Sequence, residues 1–162
     1  MKQKELLKSY ASRLRLYYLS THLEEMVHKA QENKPSYLEF IVQILESEVI
    51  NRDTRDYERR LSAAHLPSRH DLDLFDFNFS YGITPGRMKE LRELLWMEQA
   101  YNVILMGPSG TGKTYIASGL IYEAVKQGYK AYMLTMGEII TTIKMKEISP
   151  TAMSAYNRIV RA

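Results

Sequence analysis

Residues 102–120 read NVILMGPSGTGKTYIASGL, and within them Gly107, Pro108, Ser109, Gly110, Thr111, Gly112, Lys113 and Thr114 fit G-x-x-x-x-G-K-[ST] at every fixed position. Glycines here let the backbone turn so that successive N–H groups converge on an anion, with the positive end of a helix behind them. The flanks suit that task. An apolar run at 103–106 precedes the loop, and a helical pattern follows from Lys113 to about Gln127, with Gly128 as its C-cap. A second strand, KAYMLT, is expected at 130–135. Strand, loop, helix, strand opens an α/β unit. An accidental glycine-rich turn would match in roughly one chain of this size in a few hundred, and it would not bring these flanks with it. The pattern thus predicts a nucleotide phosphate loop. Lys113 would reach the β- and γ-phosphates and the Thr114 hydroxyl would meet Mg²⁺, with Tyr115, next on the helix, included in the cofactor-binding set.

Upstream, residues 1–66 have helical periodicity with few turn signals and are expected to form a helical module of three helices. Pro35 stops one helix, Ser36 can cap the next, and Glu39 three residues on completes a capping box. Leu38, Ile41, Val42, Leu45, Val49 and Ile50 then recur at spacings of three and four, giving one apolar stripe on a helix that runs to about Ala64. Thr21 with Glu24 predicts a second box and another helix after it. Residues 67–100 are expected to be a linker and a leading helix: Pro67, Gly82, Pro85 and Gly86 bracket an alternating, extended run of Leu72, Leu74, Phe75, Phe77 and Phe79, and MKELRELLWMEQ returns to helix. Residues 101–162 are assigned to a partial nucleotide-binding domain.

Of the 162 residues, 45% are hydrophobic and 25% charged, as in a globular protein. No apolar run of membrane-spanning length and no signal peptide is present, so a cytoplasmic location is expected. The absence of cysteine excludes disulfides, Cys-type zinc sites and thiol nucleophiles, and the four histidines lack a metal-ligand spacing. Residues 1–70 hold 12 Lys/Arg against 10 Asp/Glu, 71–100 hold 3 against 6, and 101–162 hold 7 against 3. Basic flanks around an acidic middle permit contact with a polyanion without requiring it.

The loop and the residues after it, NVILMGPSGTGKTYIASGLIYEAVKQGYKAYMLTMGEIITTI, follow LDLFDFNFS and a module containing LEFIVQILESEVINRDTRDYERRLSAAHLP. Over nearly its whole length this order of parts resembles the IstB-like ATP-binding proteins, helper ATPases of insertion-sequence transposition related to the DnaC-type helicase loaders of the AAA+ class. The resemblance implies ATP and Mg²⁺ as cofactors, DNA and a transposase as partners, and a homo-oligomer in the complete form. It implies an α/β fold in which the helical module precedes the first, incomplete part of an AAA+ parallel sheet. In the AAA+ strand order 5-1-4-3-2 the two strands expected here are not neighbours. A Walker B strand, a sensor and an arginine finger have no counterpart in the sequence, so no catalytic residue is assigned and the chain is expected to be a C-terminally truncated product. Asp71, Asp73 and Asp76 of DLDLFDF resemble a Walker B, but their place before the loop favours a linker strand. In relatives this segment lies near the base, so Phe77 or Phe79 either packs on adenine or seals the core.

Four arginines, Arg52, Arg55, Arg59 and Arg60, close the long helix. Glu48 and Asp56 precede Arg52 and Arg60 by four, the favourable order for helix pairs, which leaves Arg55 and Arg59 as the DNA candidates. Three alternatives compete with the transposition helper: a non-hydrolysing fragment that only binds DNA or protein, a DnaC-like helicase loader, and a small-molecule kinase. The last is disfavoured because about 100 residues precede the loop, whereas P-loop kinases usually begin with it.

Overall fold

The computed structural model describes residues 2–78 and 82–162. These separate into two compact units, 1–56 and 57–162.

The first unit holds α1 (Lys2–Arg13), α2 (Tyr17–Asn33) and most of α3 (Tyr37–Ala63). Ala11, Leu19 and Leu23 form its small core, with Leu16, Met26, Val27 and Ile44 packed against it. The capping box of α3 is present, with the Ser36 amide donating to Glu39 Oε2 at 2.7 Å and the Glu39 amide donating to Ser36 Oγ at 3.3 Å. The Thr21 box is not. α2 already starts at Tyr17, and the Thr21 hydroxyl donates back to the Tyr17 carbonyl at 2.9 Å. Its true cap comes from another helix. Leu16 at the N-cap offers no side-chain acceptor, and buried Glu48 of α3 instead accepts from the Tyr17 and Tyr18 amides at 3.1 and 2.9 Å. Arg52 completes the cluster, 3.6 Å from Glu48. The apolar stripe of α3 also departs from expectation. Leu38, Ile41, Val42, Leu45, Val49 and Ile50 are exposed, while the face turned inward is that of Ile44 and Glu48.

The second unit is built around α6 (Lys113–Lys126), the most deeply buried helix. Leu72, Met88, Leu91, Leu94, Ile116, Leu120 and Ala124 make its core, with Trp96 partly buried against them and donating from its indole to the Leu91 carbonyl at 3.0 Å. The expected extended run at 72–79 is a 3₁₀ turn at Leu72–Leu74, capped by Asp71 through the Asp73 amide. Phe79 lies outside the described residues. The leading helix is two pieces, α4 (Pro85–Arg92) and α5 (Leu95–Glu98), parted at buried Leu94, whose φ of +59° cannot continue a helix. Beyond α6 come α7 (Met136–Met145), opened by a full Thr135–Glu138 capping box, and α8 (Pro150–Val160), and these two pack on each other.

The expected α/β parallel sheet does not form. Among the described residues every regular element is helical, and neither 102–106 nor 130–135 takes part in a ladder. A strand exists by pairing, and neither segment has a paired neighbour. At 103–106 only the side-chain alternation of a strand persists: Val103 and Leu105 face the core, and Ile104 and Met106 are exposed. At 130–135 the Met133 amide donates to the Ala64 carbonyl at 2.9 Å. No helix among the described residues is long and apolar enough to cross a membrane.

Candidate functional site

The loop at 107–112 is a chain reversal made possible by three glycines. Gly107, Gly110 and Gly112 have φ of +153°, +82° and +83°, the half of backbone space that side chains disfavour. Gly112 is also the N-cap of α6, with no side-chain cap, and its carbonyl accepts from the Ile116 amide at 2.9 Å. The N-terminal turn of α6 thus has no side-chain cap, beside Lys113 and Thr114. Lys113 folds back over the loop, its ammonium donating to the Pro108 carbonyl, with Thr111 Oγ1 at 3.5 Å. Thr111 itself donates to the Pro108 carbonyl at 2.9 Å. Thr114 is exposed on the first turn. Pro108, Ser109 and Gly110 form the exposed tip, and Tyr115 is turned toward the core rather than the tip.

A cavity of about 670 Å³ opens beside the loop, lined by Gly107, Pro108, Thr111 and Lys113 on one side and by Ile83, Arg87 and Leu91 on the other. Its position brings α4 to the loop, which the linear order of the chain does not suggest. Arg87 pairs with Glu90 at 2.6 Å on an exposed face.

Residues 69–77 form a strap along α6. The Tyr115 hydroxyl donates to the Asp71 carbonyl, Ser118 Oγ lies 3.4 Å from the Arg69 carbonyl, and Leu72 is buried over Gly119. Arg92 pins the strap by pairing with Asp73 at 2.6 Å and with Glu123 of α6 at 2.7 Å. The hydrogen bond from Arg92, and then its charge, hold the Asp73 carboxyl below the usual carboxylate range. The aspartates of DLDLFDF therefore serve the strap: Asp71 caps the 3₁₀ turn, Asp73 pairs with Arg92, and Asp76 accepts from the Asn78 amide at 2.8 Å. Phe77 packs on the core. Phe75, which sequence reasoning passed over, is the aromatic residue that reaches the loop. The small-residue run Ala117, Ser118, Gly119 signals the close approach of Leu72 to α6, but no local signal marks Phe75, which lies against Gly112.

Arg55 and Arg59 both lie on α3, one turn apart. The Arg55 guanidinium sits 5.0 Å from the centre of the Tyr17 ring, a cation–π contact, and Arg55 and Arg59 are both exposed.

With this geometry established, comparison with known sequences is decisive: the family described as IstB-like ATP binding protein matches residues 9–162. The chain is a member of the IstB-like family. A Bacteroides fragilis protein named as an ATP-binding protein of an IS21-like insertion sequence is 47% identical over 162 residues, all of this chain and 62% of that protein. A similarly named protein of B. fragilis strain YCH46 is 51% identical over 152 residues, 94% of this chain and 76% of the relative. One from Pseudomonas aeruginosa, named for IS21, is 37% identical over 132 residues, 82% of this chain and 50% of the relative. The IstB-like chain thus spans between half and about three quarters of the length of these relatives.

Proposed function

We propose that this chain binds Mg·ATP through residues 107–115 and serves a transposase on DNA within an insertion-sequence system, as part of a homo-oligomer. The observation that carries the nucleotide reading is the loop itself. Gly107, Gly110 and Gly112 all adopt positive φ, and α6 starts immediately at Lys113 with no side-chain cap. The relatives' names, which speak of ATP binding and insertion sequences, support the same reading.

The residues fit a bound triphosphate. Lys113 forms no ion pair among the described residues and rests on neutral oxygens, so an anion can draw its ammonium away at little cost. Gly110, at the exposed tip, has open space where a side chain would stand. Thr114 offers one hydroxyl to Mg²⁺, an ion that takes few protein ligands and completes its shell with water and phosphate, where it would neutralise phosphate charge. No catalytic residue is assigned. DNA contact is proposed for Arg55 and Arg59 on α3, supported by the exposure of both and by the regional basic charge.

The test is thermal unfolding of the chain with and without Mg·ATP, alongside Lys113→Ala. Ligand at about 100 times its Kd should stabilise the unsubstituted chain by roughly 2.7 kcal/mol and leave Lys113→Ala unshifted. Equal behaviour of the two proteins would refute the loop as the site.

A further inference from the structure

Two glycines, Gly112 at the N-cap of α6 and Gly119 within it, act as seats for the strap. Gly112 and Gly119 are seven residues apart and so lie on one face, two turns apart. Leu72 and Phe75 are three apart across a 3₁₀ turn, which has three residues per turn, so they point the same way. Leu72 fills the second seat: a Cβ on Gly119 would lie 2.3 Å from its Cγ and Cδ2. Phe75 fills the first. A Cβ on Gly112 would lie 3.0 Å from Phe75 Cε2 and 3.4 Å from Cζ, so the ring lies directly against the glycine at the loop–helix junction.

The ring is itself held in place. Phe77 meets it edge-on at 5.1 Å and 71°, and Tyr115 tilts against it at 5.7 Å while its hydroxyl ties down the strap at Asp71. Gly112 pivots more freely than any other residue type, and its φ of +83° decides whether the Lys113 and Thr114 amides point into the loop. A rigid ring against that pivot removes its freedom before any ligand arrives.

We propose that Phe75 is a positioning residue of the phosphate loop: by packing on Gly112 it fixes the junction from which Lys113 and the first α6 amides reach the anion. It offers no polar group to phosphate, so it acts through Gly112. This proposal rests on the nucleotide reading above.

Binding of Mg·ATP, Mg·GTP and inorganic pyrophosphate to the full chain, measured by calorimetry well below the unfolding temperature, tests it. Phe75→Ala should weaken all three by about tenfold alike, the cost of lost preorganisation, and Phe75→Tyr should restore them. Val125→Ala, at the buried far end of α6, should lower Tm without changing any of the three affinities. Unchanged pyrophosphate binding in Phe75→Ala would overturn the proposal. A loss confined to the two nucleotides would do the same, since it would show contact with base or sugar instead. So would an equal loss in Val125→Ala, which would reduce the effect to general destabilisation. Should Phe75→Ala fail to fold, Phe75→Leu keeps the apolar volume without the flat ring, and unchanged affinity there overturns the idea. Failure of the unsubstituted chain to bind any probe would instead sink the nucleotide reading and this proposal with it, a result recognisable because Lys113→Ala would then look no different.

Discussion

Glu48 and Gly119 show how much one residue carries. Glu48 is 3% exposed, and its carboxylate takes up two part-buried amides that the N-cap Leu16 cannot satisfy. Glu48→Ala should therefore cost about 1–3 kcal/mol, whereas Glu48→Gln, which keeps one acceptor oxygen, should cost less. Denaturant titration followed by circular dichroism measures both, and equal losses for Ala and Gln would contradict the capping role. Gly119→Ala presents a sharper conflict of terms. In an open helix the change gains about 1 kcal/mol. Here the added carbon would stand 2.3 Å from Leu72 and 3.0 Å from the His70 carbonyl oxygen, and backbone does not yield as a side-chain tip does. Overpacking of about 1–3 kcal/mol should win, and Tm should fall. A rise in Tm would mean that the strap does not lie on α6.

At the scale of the element, the caps of α3 and α7 link helix content to pH. Backbone and then side-chain hydrogen bonds from Ser36 hold Glu39 below its ordinary value of 4.5, and those from Thr135 do the same for Glu138. A depressed folded pKa means that the contribution is present above the ordinary value and is lost as pH falls through the lower folded one. Helical ellipticity should thus hold down to about pH 4.5 and decline below it, with Glu39→Gln and Glu138→Gln together flattening the decline. The α3 box was legible from Ser36 and Glu39 because a capping box is local. α2's start was not, because its acceptor, Glu48, arrives from another helix and no window around Thr21 contains it. The same limit explains the sheet. Residues 103–106 have a strand's alternation, but pairing is a property of two segments, and the sequence pattern speaks for only one at a time. In the site, the loop glycines were legible from spacing, while Phe75 and Arg92 were not, since their partners lie 37 and 31 residues away, at Gly112 and Glu123.

Across the whole molecule, the two compact units should respond separately to ligand. Mg·ATP should slow amide exchange within 57–162, most of all along α6 and the strap, and leave 1–56 as it was. Hydrogen exchange read by mass spectrometry resolves the two. Equal protection of both units would show that nucleotide binding couples them. The strap's two seats carry a consequence of another kind. Surface turns usually accept an inserted or deleted residue, because nothing measures their length. Here a pair of side chains three apart must meet a pair of glycines seven apart, so one codon gained or lost between Leu72 and Phe75 would unseat an anchor and tilt the ring off Gly112. This short stretch is free to vary at exposed Leu74 but fixed in the number of its letters, and reading-frame-preserving insertions should be purged from it in any library selected for folding.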